Sequence, residues 1–227
     1  MATYDLEEQE QLAELKAWWK QYGNMLINGL TVLSLVVIAW QAWGWYQRSQ
    51  SGQASTVYHV LQKAVQDKDT QRIKAASGEL LEKFGGSTYA PLGALTAAKA
   101  FIDSGDAKTA KAQLLWAVEH GKDEMRDLAR LRLVAVLLDE KAYDEALKQL
   151  DGRVTPAFEA RFMDNRGDVF TAQGKTAEAR AAYQTALTKL AEADKAGKAA
   201  EQNWQSQSNA INREILQQKL DAMGGSK

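Results

Sequence analysis

His59 and His120 are the two imidazoles of this sequence, so any histidine-based proton-transfer or metal chemistry would start with them. His59 stands beside Tyr58 with no Asp, Glu or second His at ligand spacing, which favours a surface or membrane-proximal role. His120 precedes Gly121 at an expected helix end, where a cation complements the helix dipole. The acidic pair Asp139–Glu140 falls in an expected turn, where solvation accounts for its charges. The sequence holds 0 Cys, which removes thiol nucleophiles, zinc-thiolate sites, iron–sulfur clusters and disulfides. It contains no Walker loop, no GxSxG, no GxGxxG and no HExxH. The expectation is a chain without enzymatic activity, metal or cofactor.

The remaining chemistry is that of binding. Lys99, Ile102, Asp103, Leu131, Ala135 and Leu138, followed by Arg161, Asp164, Asp168 and Thr171, share equivalent positions on the first helices of a series of helical pairs. Such pairs stack into a curved solenoid whose concave face is lined by those helices. A groove of mixed apolar and charged groups suits an extended peptide or a partner's helix. Leu131, Leu138 and Ile102 suit the packed core equally well.

The pairs are read from an internal repeat. In its clearest unit, 161–187, Gly167 and Phe170 lie on a first helix, Gly174 in the turn, and Ala179, Tyr183 and Ala186 on a second. Small residues at Gly167 and Ala179 allow close helix approach, and Phe170 and Tyr183 fill the space beside them. The preceding unit places Val134, Leu137, Tyr143, Ala146 and Leu150 in the same scheme. The one before it uses Ala98, Phe101, Gly105, Ala110, Leu114 and Ala117. A degenerate unit from Thr56 to Phe84 keeps Ala76 and Leu80. Gly85–Gly86 and Gly121 are expected as left-handed helix caps, and Thr155–Pro156 as a helix start. Leu216, Leu220 and Met223 line one face of a last helix that caps the stack.

Ahead of the repeats, Met25 to Tyr46 is an uncharged apolar run of roughly 22 residues, enough at ~1.5 Å per residue to cross a hydrocarbon core of about 30 Å. Trp18, Trp19 and Tyr22 precede it, and Trp40, Trp43, Trp45 and Tyr46 close it, as two aromatic belts. The long acidic segment before it, with Asp5, Glu7, Glu8, Glu10 and Glu14, is unlike a secretory leader, so the run reads as an uncleaved signal anchor. Lys16 and Lys20 on one side against Arg48 on the other favour a cytoplasmic N-terminus and an external C-terminal part. Asp5 with Glu8 reads as a helix N-cap, and Leu12, Leu15, Trp19 and Tyr22 as the apolar stripe of a membrane-lying helix. Within the span, Asn28 and Thr31 share a face suited to a partner helix, and Trp40 and Trp43 lie at its far end.

These readings give an all-α chain: an acidic amphipathic tail at 1–24, a transmembrane helix at 25–46, a linker at 47–55, a tetratricopeptide-like solenoid of three to four hairpins at 56–190, and a polar extension with a capping helix at 191–227. Lys+Arg is 28 and Asp+Glu 29, a net charge of −1 that gives no footprint for nucleic acid.

The acidic start, the block EQLAELKAWWKQYGN, the single span, and the blocks YAPLGALTAAKAF, LARLRLVAVLLDEKAYDEALKQLD and RGDVFTAQGKTAEARAAY together resemble the ancillary SecYEG translocon subunit (YfgM) family of proteobacterial inner membranes. The resemblance covers nearly the whole chain. It implies an inner-membrane protein with a cytoplasmic N-terminus and a periplasmic repeat domain. It further implies association with SecYEG and the periplasmic chaperone PpiD, assisting exported client proteins, with no catalytic residues. The other reading is a membrane-anchored adaptor or regulator with one dedicated partner.

Overall fold

Helix accounts for nearly all of the computed structural model, which describes residues 3–198 and 203–224, and no strand occurs among them. In order come α1 (Thr3–Gln66), α2 (Thr70–Lys83), α3 (Tyr89–Asp103), α4 (Ala107–His120), α5 (Asp123–Asp139), α6 (Tyr143–Leu150), a single 3-10 turn (Pro156–Phe158), α7 (Glu159–Ala172), α8 (Thr176–Lys198) and α9 (Asn203–Ala222). The chain divides into two compact units, Met1–Gly52 and Gln53–Lys227.

In the first unit the described residues are all part of α1. The apolar run lies within a helix long and apolar enough to cross a membrane, and none of its apolar window is buried. Asp5 is already inside α1 and so is not its N-cap, because the helix starts at Thr3. The Thr31 hydroxyl donates to the Ile27 carbonyl at 2.7 Å, which satisfies it within the helix. Trp18 and Tyr22 sit with ring centroids 5.8 Å apart, and Trp43 and Tyr46 at 6.3 Å. Residues 47–55, read as a linker, are helical throughout.

The second unit starts slightly ahead of the expected Thr56: Ala54 is fully buried and joins Leu61 and Ala64 in a core cluster. Four helical hairpins follow: the end of α1 with α2, α3 with α4, α5 with α6, and α7 with α8. Each turns through one residue in the left-handed region: Lys68 (φ 53°), Gly105 (82°), Lys141 (58°) and Gly174 (74°). Each is sealed by the same backbone pair. The turn residue's N–H reaches back to Val65, Ile102, Leu138 or Thr171. The next N–H reaches further, from Asp69 to Ala64, Asp106 to Phe101, Ala142 to Leu137 and Lys175 to Phe170, at 2.8–2.9 Å. Asp69 and Asp106 also cap α2 and α4 by accepting from Arg72 and Thr109 at 3.0 Å.

Left-handed residues stand in all four hairpin turns and also at Asp123, Gly152 and Gly224, but the glycines expected to cap α2 and α4 are not among them. Gly121 has extended backbone (φ −71°, ψ 152°), and a Cβ there would lie 2.4 Å from the Ala117 carbonyl oxygen. Close approach explains that glycine. Gly85 is similar, with the Leu81 oxygen 2.9 Å from the position of a Cβ. Thr155 does precede the 3-10 turn opened by Pro156, but its side chain makes no capping bond.

Lys141 carries a side chain where a glycine is conformationally free. Lys141→Gly should raise stability by about 0.5–1 kcal/mol, the cost of a left-handed non-glycine residue less the extra freedom of glycine when unfolded. Urea unfolding of the full chain in mild detergent, read by pulse proteolysis, measures it.

Counting from the turn residues puts the four units in register, and the positions carry the core. Leu61, Ala98, Val134 and Gly167 are equivalent and buried, as are Ile73, Ala110, Ala146 and Ala179. Ser77, Leu114, Leu150 and Tyr183 form a third buried set. The degenerate unit thus holds its pattern at Leu61, Ile73 and Leu80, with Ala76 beside it. Leu216 on α9 is buried, and Leu220 on α9 and Met223 just past its end are half-buried, all packed against Ala179, Tyr183, Ala186 and Leu190 as the capping stripe requires. Residues 199–202 of the polar extension and the terminal residues 225–227 lie outside the described residues.

Candidate functional site

Of the groove residues, those on α3 and α5 divide between surface and core. Lys99 and Asp103 are exposed and bridge each other across one helical turn at 2.7 Å, a surface pair worth at most about 1 kcal/mol. Ile102 beside them is 43% exposed, a large apolar side chain facing solvent. Leu131 is 9% exposed and belongs to the main core cluster, so packing claims it. Leu138 is half-buried against the same cluster, and Ala135 is exposed.

On α7 the groove residues are held by the chain itself. Lys219 of α9 donates to Asp164 at 2.6 Å and to both carboxylate oxygens of Asp168 at 2.7 and 3.0 Å. Its ammonium also lies 5.3 Å from the centre of the Tyr183 ring. Tyr183 donates its phenol proton to Asp168 at 2.7 Å, and the Thr171 hydroxyl is 3.1 Å from that phenol oxygen. Two carboxylates on one helical face would repel, and one bridging cation resolves them. Arg161 is exposed, its guanidinium 5.8 Å from the Phe158 ring centre, and Thr171 is also exposed. The open part of the expected groove is therefore Lys99, Ile102, Asp103, Ala135, Leu138, Arg161 and Thr171, while Asp164 and Asp168 anchor the terminal helix.

Burial raises the Asp164 carboxyl above its usual range, against the pull of Lys219. Burial acts to lower the Lys219 ammonium, but its bonds to Asp164 and Asp168 outweigh this and the net shift is upward. Burial also pushes the Tyr183 phenol up, with the bond to Asp168 adding to it and the Thr171 hydroxyl opposing. A lysine raised in the folded state contributes stability that is complete below its ordinary value of 10.5 and is lost as pH rises through the higher folded value. The difference in urea midpoint between wild type and Lys219→Met should stay constant from neutral pH to about pH 10 and shrink above it. Asp164, also raised, works in the opposite pH range: its proton stabilises the fold in acid, and that contribution fades as pH rises through the folded value.

The residues that sequence reading missed are Asp127 and Arg130 on α5. Asp127 is fully buried and accepts from Arg130 at 3.3 Å and from the Thr155 backbone N–H at 2.8 Å. Arg130 donates to the carbonyls of Gln149 at 2.7 Å, Arg153 at 3.1 Å and Asp151, and its guanidinium lies 4.6 Å from the Phe162 ring centre. Burial lowers the guanidinium's affinity for its proton and Asp127 opposes that effect. One ion pair thus fixes the whole loop between α6 and α7. A signal was present: Asp127, Arg130, Val134 and Leu137 fall on a single helical stripe, so two charges occupy an otherwise apolar face.

In the first unit, Asn28, Trp40 and Trp43 are exposed on α1, as is Thr31. Among the described residues no three of His, Cys, Asp and Glu gather at metal-binding distance.

Four hairpins in one register, a capping ninth helix and a partly open strip on the first helices define a tetratricopeptide-type solenoid. The family model for the tetratricopeptide repeat-like domain matches residues 16–225. A protein of Neisseria gonorrhoeae (strain ATCC 700825 / FA 1090) named Ancillary SecYEG translocon subunit is 31% identical over 220 residues, covering 96% of this chain and 98% of that protein. Proteins of the same name from Haemophilus influenzae (strain ATCC 51907 / DSM 11121 / KW20 / Rd) and Escherichia coli (strain K12) are 30% and 29% identical. They cover 81% and 82% of this chain and 90% of each relative. The chain belongs to the tetratricopeptide repeat-like family and, within it, to the ancillary SecYEG translocon subunits.

Proposed function

We propose that the chain is a non-catalytic ancillary subunit of the SecYEG translocon, anchored in the inner membrane by one span. Its N-terminus is cytoplasmic and its solenoid is a periplasmic scaffold or chaperone. The observation that carries this reading is the match to proteins named for that role along nearly their full length, together with one unburied apolar helix ahead of the repeats. The span offers the translocon a lateral surface. Asn28, a polar side chain in an apolar run, gains most by turning toward a protein neighbour, and Trp40 and Trp43 set the helix depth. The strip of Lys99, Ile102, Asp103, Leu138, Arg161 and Thr171 offers the mixed chemistry that holds an unfolded exported chain or the chaperone PpiD.

Photocrosslinking probes at Asn28, Thr31, Trp43, Leu138 and Arg161 in native membranes test this. Crosslinks from the span to SecY or PpiD, and from the strip to PpiD or exported chains, are expected. Capture of one protein unrelated to the translocon at all five positions would instead make the chain a dedicated adaptor.

A further inference from the structure

Arg48 is a cation with no anion near it on its own helix. The sequence has no Asp or Glu between Glu14 and Asp67. Asp67 comes 19 residues after Arg48, about 28 Å away at the ~1.5 Å rise of a helix, and Glu14 is further still. The Arg48 side chain is exposed and makes no hydrogen bond or ion pair among the described residues. It stands just beyond Tyr46, which closes the apolar run, at the level where lipid phosphates meet the hydrocarbon.

Arg48 closes one end of a notch of about 470 Å³ lined by Trp40, Gln41, Gly44 and Trp45. Gly44 is its floor, and a Cβ there would meet nothing within 4 Å. The exposed indoles of Trp40 and Trp45 are its walls, and Gln41 adds an amide donor. Helical side chains lean toward the N-terminus of their helix, so Arg48 leans back over Gly44. At ~100° per residue, Gly44 and Arg48 each lie about 160° from Asn28, on either side of the point opposite it. With Asn28 turned to a protein neighbour, the notch faces lipid. Leu26, Leu30, Leu33 and Val37 fall in line with it and are all exposed, so an apolar track leads from the notch into the membrane.

We propose that this notch binds an anionic glycerophospholipid: Arg48 holds the phosphodiester, the two indoles flank the glycerol, and an acyl chain runs along Val37, Leu33 and Leu30. The lipid is anionic because a zwitterionic headgroup brings its own cation to the phosphate, whereas Arg48 has no carboxylate of its helix to neutralise it. The site rests on the reading of α1 as a membrane span with Asn28 turned to a protein neighbour. It does not depend on what the solenoid binds.

The test uses the full chain, labelled with fluorotryptophan, in phosphatidylcholine nanodiscs with increasing phosphatidylglycerol, read by fluorine NMR. Trp40 and Trp45 report on the notch, and Trp43, between them in sequence but outside the notch, is the control at the same depth. The Trp40 and Trp45 signals should move along a saturating curve, half complete when about one lipid in six is phosphatidylglycerol, a preference of about fivefold. Trp43 should follow the bulk composition linearly. Arg48→Gln should make Trp40 and Trp45 follow it linearly too. Gly44→Leu keeps the charge but fills the floor, and should have the same effect; it separates a built site from a cation that attracts a diffuse layer of lipid. Both substitutions lie on a helix surface and leave the helix intact. Linear curves for Trp40 and Trp45 in the wild type, saturation shared by Trp43, or a curve unchanged by Gly44→Leu would overturn the proposal. Displacement by excess inorganic phosphate would assign the notch to a free anion and overturn it as well. Loss of the chain from the discs in alkaline carbonate would remove the span reading and this site together, whereas stable incorporation without the preference overturns the site alone.

Discussion

Replacing Asp127 with alanine should lower the stability of the second unit by about 3–5 kcal/mol, because it strands a buried guanidinium and frees the Thr155 N–H. Arg130 would keep its bonds to the carbonyls of Gln149, Arg153 and Asp151 but lose the one negative charge buried beside it. Asp127→Asn, which keeps the shape and an acceptor, should cost less. The pair Asp127→Ala/Arg130→Met should recover part of the loss, since the stranded charge is then removed as well. Urea unfolding of the full chain in mild detergent, followed by pulse proteolysis, reads all three. Equal stability of wild type and Asp127→Ala would show that water reaches the guanidinium.

Gly167→Ala should cost about 1–3 kcal/mol, although alanine is the better helix former. A Cβ at Gly167 would lie 2.3 Å from Cε1 of Tyr183. The ring cannot easily swing aside, because its hydroxyl is bonded to Asp168 and sits against Thr171, and its face carries Lys219. The substitution therefore either pushes α7 from α8 or breaks that polar cluster and loosens α9. Tyr183→Leu in the same background should restore much of the loss, and the double-mutant cycle isolates the steric term. The same assay measures it, with hydrogen exchange in 209–224 reporting on α9.

Gly167 and Tyr183 also show why much of this fold is legible in the sequence. A small residue facing a large one at fixed offsets from a turn glycine is a local pattern, and it recurs at Ala98 with Leu114. Where lysine replaces glycine, at Lys68 and Lys141, the turn survives but its signature does not, and the first unit looks more degenerate than it is. The glycines that are conspicuous in the sequence, Gly85 and Gly121, serve close approach instead of a left-handed turn, and one residue type cannot distinguish those uses. Leu131 and Ile102 stand at different distances from their turn residues, and the register separates them: Leu95, the counterpart of Leu131, is buried as well, whereas Leu138, the counterpart of Ile102, is only half-buried. Lys219 was illegible as the partner of Asp164 and Asp168: more than fifty residues separate it from Asp168, and only the docking of α9 brings them together.

The repeated left-handed turn also governs how the chain can acquire its structure in time. Each turn joins two helices that are adjacent in sequence, and each hairpin packs chiefly on the next, so apart from the ties of α9 to α7 and α8 most helix pairs that pack are neighbours in the chain. Loop closure is short throughout, and topologies dominated by such local contacts fold quickly. A chain delivered from its N-terminal end can complete the hairpin at Lys68 before the residues around Gly105 are available, and that hairpin before those around Lys141. Assembly is then ordered by emergence, and α9, which packs on α8 at the end of the stack, arrives after all four hairpins.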